Sequence, residues 1–182
     1  SSAVALTGAG ATLDISGASG ARSVNNLTGV AGTVVALGGG GLTATYAANG
    51  EFAGSIGGSG SFTKAGAGTL TLSGSNGLTG VTNLTAGTLV LTGSVGGDAT
   101  LSGGATLAGT GSIAGTLTAG SGIIEAGGTA VGTLTVGGLV LGADTVLNYD
   151  LGAPGNLAVS DRIRVGGNLT LEGTVNGRKA GG

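Results

Sequence analysis

A five-residue unit recurs along the chain: Gly-Thr-Leu, then Thr or Val, then Leu, Val or Ala. Its clearest copies span 68–72, 87–91, 115–119 and 132–136. Within each copy, apolar and polar side chains alternate, which is the period-two pattern of a half-buried strand. Glycine pairs separate the copies, and glycine supplies the positive φ angles that tight corners require. The sequence therefore predicts many short strands joined by sharp turns.

The spacing of these units indicates how the strands are arranged. Leu70 and Leu89 lie 19 residues apart, and Leu117 and Leu134 lie 17 apart. Repetition at this interval, without a sustained helical period, favours a β-helix over a sandwich or a barrel. We predict an all-β fold with no significant helix, a single right-handed parallel β-helix (β-solenoid) of roughly nine rungs stacked ~4.8 Å apart. In this fold the four leucines would form one aliphatic ladder.

The composition is compatible with a core of small aliphatic layers. Of 182 residues, 45 are Gly, one is Pro, two are Tyr and two are Phe. No Gly-X-Y period exists, so a collagen helix is excluded. The mean hydropathy of +0.49 separates the chain from disordered linkers. An ordinary globule of this size relies on more aromatic anchors, whereas stacked identical layers do not need them.

The residue types behind most enzyme and metal chemistry are missing. Cys and His are absent, which excludes disulfides, a thiolate nucleophile and Cys or His metal ligands. Six basic and eight acidic residues form no basic patch that would attract nucleic acid. We expect no catalysis, no cofactor, no metal, no nucleic-acid partner and no small-molecule substrate. The first residues lack a signal-peptide charge pattern, so we expect an internal fragment of a larger protein.

The chain divides coarsely into three parts. Residues 1–99 are predicted to form solenoid rungs, with the clearest repeats in their second half. Residues 100–176 continue the rungs and concentrate charged residues towards their end. Residues 177–182 have the composition of a frayed end or an added tail.

The densest charge cluster is a candidate contact for a partner. It contains Asp161, Arg162 and Arg164, and alternation places Ile163 and Val165 on the opposite side of the strand. The competing interpretation is a solvated strand face with a surface ion pair, worth about 0–1 kcal/mol.

Three further carboxylates leave an enzymatic alternative open. Glu125, Asp144 and Asp150 could serve a polysaccharide hydrolase, which needs two carboxylates about 5–9 Å apart. Their sequence spacing does not indicate pairing, and few aromatic residues exist to stack on sugars. We therefore treat this alternative as the weaker one.

A longer ordered motif runs through residues 52–91. It begins Phe52-Ala-Gly-Ser-Ile and continues through Lys64-Ala-Gly-Ala-Gly-Thr-Leu-Thr-Leu-Ser-Gly-Ser-Asn76 to a second Gly-Thr-Leu. This stretch resembles the passenger-associated transport repeat of bacterial autotransporters, which belong to type V secretion. The positions that match the family pattern are Lys64, Gly66, Gly68, Thr69, Leu70, Leu72, Ser73, Gly74, Asn76, Thr79, Gly80, Thr82, Gly87, Thr88 and Leu89.

The resemblance implies a passenger domain on the surface of, or secreted from, a Gram-negative bacterium. Its partner would be its own C-terminal outer-membrane β-barrel, which is not in this chain. The expected role is a non-catalytic stalk or scaffold that promotes secretion and folding of the passenger. Residues 100–176 would correspond to the region that folds first, the autochaperone. The main alternative is an adhesin that binds another copy or a host surface.

Overall fold

The computed structural model describes residues 2–152 and 157–179. Its chain forms stacked parallel coils, an all-β solenoid of about seven turns. The prediction of an all-β parallel solenoid without significant helix is confirmed. Among the described residues, the one helical element is a 3-10 turn at Leu157–Val159.

Twenty strands build the solenoid. In chain order they are β1 Ala3–Leu6, β2 Thr12–Asp14, β3 Arg22–Gly29, β4 Val34–Ala36, β5 Leu42–Thr45, β6 Gly50–Phe52, β7 Ser55–Gly57, β8 Phe62–Ala65, β9 Thr69–Leu72, β10 Ser75–Asn76, β11 Thr82–Leu84, β12 Thr88–Leu91, β13 Ser94–Val95, β14 Ala99–Leu101, β15 Thr106–Gly109, β16 Ser112–Ala126, β17 Thr133–Leu151, β18 Arg162–Val165, β19 Leu169–Leu171 and β20 Thr174–Lys179.

Parallel pairing between successive coils arranges these strands on three faces. Face 1 contains the start of β3, then β5, β8, β11, β14, the middle of β16 and β17, and β19. Face 2 contains β1, the end of β3, then β6, β9, β12, β15, the ends of β16 and β17, and β20. Face 3 contains β2, β4, β7, β10, β13, the starts of β16 and β17, and β18.

The length of a coil changes along the chain, and this reduces the number of turns. Leu42 pairs with Phe62, 20 residues later, while Thr82 pairs with Ala99 after only 17. In the last coil Leu139 pairs with Leu169, 30 residues later. The expectation of nine rungs is therefore wrong, because it assumed a constant short repeat.

The core consists of inward side chains that stack on the same residue position in the next coil. On face 2 Leu70 and Leu89 stack with Leu107 and Ile124, all fully or almost fully buried. The predicted single ladder is wrong for its other two members. Leu117 belongs to face 1, and Leu134 belongs to face 3, where it pairs with Ile163. The Gly-Thr-Leu unit starts strands on any face, so its spacing alone does not give the register.

Two buried aromatic rings fill space that glycines leave open. A Cβ on Gly29 would lie 2.5 Å from Cε2 of Phe52, and one on Gly50 would lie 2.8 Å from Cε1 of Tyr46. Phe52, Tyr46 and Phe62 are all fully buried. The aliphatic layers therefore do contain aromatic anchors, and these cluster between residues 46 and 62.

The C-terminal coil exposes its inward positions. Leu169, Leu171 and Val175 are 53%, 52% and 56% exposed, although they align with the buried stacks of the previous coil. β20 pairs with β17 as far as Lys179. Residues 180–182, the end of the predicted tail, lie outside the described residues.

One core position carries a hydroxyl where neighbouring coils carry apolar groups. Thr82 stacks between Phe62 and Ala99 and is 1% exposed. Its Oγ1 finds no hydrogen-bond partner in the described part of the chain.

We expect Thr82→Val to raise the free energy of unfolding by about 1 kcal/mol, because it removes a buried unpaired hydroxyl without changing shape. Urea unfolding followed by circular dichroism measures the change. The matched control is Thr100→Val, which removes the outward hydrogen bond from Thr100 Oγ1 to Asn83 Oδ1, 2.8 Å. A Thr82→Val midpoint at or below that of the unmodified chain would contradict the expectation.

Candidate functional site

The ordered motif recognised in the sequence occupies the middle of the rod. It spans β8 to β12, which is one complete coil and the first two strands of the next. Its leucines Leu70, Leu72 and Leu89 point inward, while Thr69 pairs with Thr88 on the outer side of face 2. Gly74 and Gly80 lie in the corners that connect the faces.

The motif places a lysine inside the core. Lys64 occupies an inward position of face 1, between Ala44 and Leu84 in the adjacent coils, and it is 0% exposed. Its Nζ donates hydrogen bonds to the carbonyl oxygens of Gly66, 2.7 Å, and Ala86, 2.7 Å. A third short bond goes to the carbonyl of Gly68. Two acceptors belong to the coil of Lys64 itself, and the third belongs to the next coil.

The electrostatics of this lysine follow from its burial. Desolvation lowers the pKa of Lys64 from its ordinary value, because a charged group is less stable away from water. The three carbonyl dipoles compensate the ammonium, and the ring centroid of Tyr46 lies 5.9 Å from Nζ. The arrangement is a cation held by backbone oxygens between two coils.

The carbonyl cradle explains two glycines of the motif. Gly66 has φ +79° and Gly87 has φ +64°, both in the left-handed region that favours glycine. A Cβ on Gly87 would also collide with Nζ of Lys64. A side chain at Gly87 would therefore strain the corner and push the ammonium away from its acceptors.

Asn76 is the second buried polar residue of the motif and bridges three coils. Its Oδ1 accepts the backbone N–H of Ile56 in the preceding coil, 3.0 Å. Its Nδ2 donates to the carbonyl of Gly74 in its own coil, 3.1 Å, and to that of Ser94 in the next, 3.1 Å. The side chain is 2% exposed. Sequence analysis identified Lys64 and Asn76 as motif positions but not as buried connections between coils.

The structure separates the predicted charge cluster into two roles. Asp161 is only 8% exposed, and its two oxygens accept the backbone N–H groups of Gly132, 2.9 Å, and Asp150, 2.8 Å. Arg162 and Arg164 are exposed on the outer side of β18. Of the three residues, only the arginines are available to a partner, and a partner contact there stays a prediction.

The three carboxylates of the enzymatic alternative lie on or beside face 2. Glu125 pairs in register with Asn148, and its Oε1 accepts Nδ2 of that residue, 3.1 Å. Asp150 lies two residues further along β17, and Asp144 is exposed opposite Ser121. Within residues 2–152 and 157–179, no group of three His, Cys, Asp or Glu side chains could hold a metal ion. The same residues contain no helix long and apolar enough to span a membrane.

Together these observations define a class: a parallel β-solenoid whose coils are connected through buried polar side chains. A family model described as passenger-associated-transport-repeat matches residues 62–91. No curated protein matches the chain. Residues 62–91 are therefore a passenger-associated transport repeat, and the recognition from sequence is confirmed over these residues.

The repeat and the solenoid together fit a passenger fragment of an autotransporter. This family implies linkage to a barrel domain outside the chain, and a secreted or surface location in Gram-negative bacteria.

Substitution of Lys64 tests whether its ammonium stabilises the coils. We expect Lys64→Met to lower the free energy of unfolding by about 2 kcal/mol, because three carbonyls lose their donor while packing is nearly kept. Lys64→Ala should lose about 3–5 kcal/mol, since it adds a cavity. Arg22→Met, at the exposed start of β3, is the control and should change stability by less than about 0.5 kcal/mol. A Lys64→Met chain as stable as the original would show that desolvation cancels the hydrogen bonds.

Tyr46 predicts an alkaline limit to stability. Its hydroxyl donates to the carbonyl of Leu27, 2.6 Å, and burial raises the pKa of Tyr46 well above its ordinary value of 10.0. The unfolded chain therefore releases this proton at lower pH than the folded chain. Stability should fall above pH 10 by up to about 1.4 kcal/mol per pH unit.

Denaturant unfolding at several alkaline pH values measures this slope. Tyr46→Phe should reduce the slope, and the remainder should come from Tyr149, whose pKa is raised by burial and then by the charge of Asp161. The same slope in both chains would contradict the assignment to Tyr46.

Proposed function

We propose that this chain is a non-catalytic passenger scaffold that carries a more N-terminal region away from the cell surface and promotes its secretion and folding. One observation carries the proposal: inward stacks and parallel ladders continue from the first coil to the last. Each coil contacts only its neighbours, so such a rod can extend outward by adding coils one at a time.

Residues 100–176 are the part that we propose folds first. β16 has 15 residues and β17 has 19, the two longest strands of the described chain. They pair with each other on all three faces, where Ile113 meets Val136, Leu117 meets Leu139, and Ile124 meets Leu147. This interface buries apolar residues around the full circumference, so it favours early formation of these coils.

The Asp161 carboxylate supports the same region. It joins the residue before β17, Gly132, to Asp150 near the end of β17. The backbone N–H of Asp161 also donates to the carbonyl of Asp150, 2.7 Å. Charge-assisted bonds of this kind are stronger than neutral ones. They would hold the long excursion between β17 and β18 closed before further coils are added.

Matched core substitutions test the proposal in the parent protein with its barrel. Leu117 and Leu42 are both inward on face 1 and almost fully buried. Leu117→Asn should abolish protease-resistant passenger at the surface, because it damages the proposed nucleus. Leu42→Asn should leave the passenger at the surface with only its first coils loosened. Equal loss in both variants would contradict a special role for residues 100–176.

Hydrogen exchange on the chain itself gives an independent measurement. Amides of β16 and β17 should exchange more slowly than those of β8 and β9 by about tenfold or more, because the proposed nucleus opens last. Slower exchange in β8 and β9 would overturn the proposed order.

Adhesion remains the alternative function, and the open C-terminal coil favours it. Leu169, Leu171 and Val175 form an exposed apolar group beside a free strand edge, and such edges pair with other chains. Light scattering should then show association of the chain that Leu169→Lys with Val175→Lys abolishes. A chain that stays monomeric at high concentration would eliminate self-association through this end.

A further inference from the structure

Three asparagines are followed directly by glycine: Asn49, Asn76 and Asn176. This dipeptide is chemically labile because glycine has no Cβ to hinder its backbone nitrogen. That nitrogen can attack the side-chain amide carbon of the preceding asparagine. The structure places the three dipeptides in very different surroundings, so the fold decides which one reacts.

Asn49 is the most accessible of the three. It is exposed and lies between β5 and β6, outside any strand and directly before Gly50. Its Oδ1 accepts the backbone N–H of Thr69 over 3.3 Å, a long bond at an exposed site. A side chain held this weakly can rotate towards the nitrogen of Gly50.

Asn76 has the same sequence but is held in place. Its Oδ1 and Nδ2 bond three backbone groups in three coils, and the side chain is 2% exposed. Rotation towards the nitrogen of Gly77 would break all three bonds. Reaction at Asn76 therefore has to wait until the coil opens.

Asn176 is intermediate. It is exposed, but it lies within β20 and pairs in register with Asn148. Its Nδ2 approaches Oδ1 of Asn148 at 3.5 Å. The extended strand backbone restricts the turn that ring closure requires, whereas the residues before Gly50 are not in a strand.

We propose that Asn49 is a site of spontaneous deamidation in the folded protein and that the fold protects Asn76. The nitrogen of Gly50 bonds to Cγ of Asn49, loses its proton, and the Cγ–Nδ2 bond breaks with release of ammonia. The product is a five-membered succinimide. Water then opens either carbonyl of this ring, which gives aspartate or isoaspartate at position 49. No oxidant or reductant takes part.

The isoaspartate product changes the neighbouring core. It inserts one extra carbon into the backbone directly before β6, whose Phe52 is fully buried and pairs with Leu72 of the repeat. The added carboxylate also lies close in sequence to the exposed Glu51. We expect the coil of β6 to loosen from β9 as the modified fraction grows.

Peptide mass spectrometry of the full chain after incubation in mildly alkaline buffer tests the proposal. In the native chain Asn49 should convert faster than Asn76 by about tenfold or more, with Asn176 between them. In concentrated urea the rates at the three sites should become similar, because the protecting structure is gone. This comparison within one chain controls for the shared Asn-Gly chemistry.

Two results would overturn the proposal. One is conversion of Asn76 as fast as Asn49 in the native chain, and the other is a native Asn49 rate no higher than that of Asn176. The variant Asn49→Asp carries the charge without the extra backbone carbon. If aged chain exchanges the amides of β6 faster than Asn49→Asp does, the isoaspartate is the damaging product; equal exchange would refute the proposed loosening.

Discussion

A buried polar group in this solenoid has to find its partner in its own coil or the next one, because one coil alone encloses too little space to bury it. Lys64 meets this constraint with carbonyls of two coils, and Asn76 with backbone groups of three. Tyr46 does the same through the carbonyl of Leu27. These bonds fix how far each coil is rotated against its neighbour, whereas a stack of similar aliphatic residues would tolerate slippage.

The sequence predicted the parts of the fold that depend on local alternation. Period-two patterns in the Gly-Thr-Leu copies placed Leu70, Leu72 and Leu89 inward, and the absence of a helical period excluded helices. The transport repeat was recognisable because many of its positions match in order. Alternation even assigns Lys64 to the same side as Phe62, but a charged residue is seldom accepted as part of a core.

Other features depend on contacts that no local pattern encodes. The register of Leu117 and Leu134 follows from coil lengths that range from 17 to 30 residues, and corners set these lengths. Asp161 belongs to a charged run in the sequence, yet its carboxylate bonds backbone N–H groups 29 and 11 residues away. The acceptors of Lys64 include Ala86, a residue whose side chain gives no sign of this role.

The direction of the hydrogen bonds between coils has a mechanical consequence. These bonds run along the axis of the rod, so a pull on its two ends loads them one coil at a time instead of shearing them all together. A released coil of 20 residues, such as that from Leu42 to Phe62, lengthens the chain by about 70 Å. The rod would therefore yield under tension as a series of extensible units, and the coils joined by Lys64 and Asn76 would be among the last to give way.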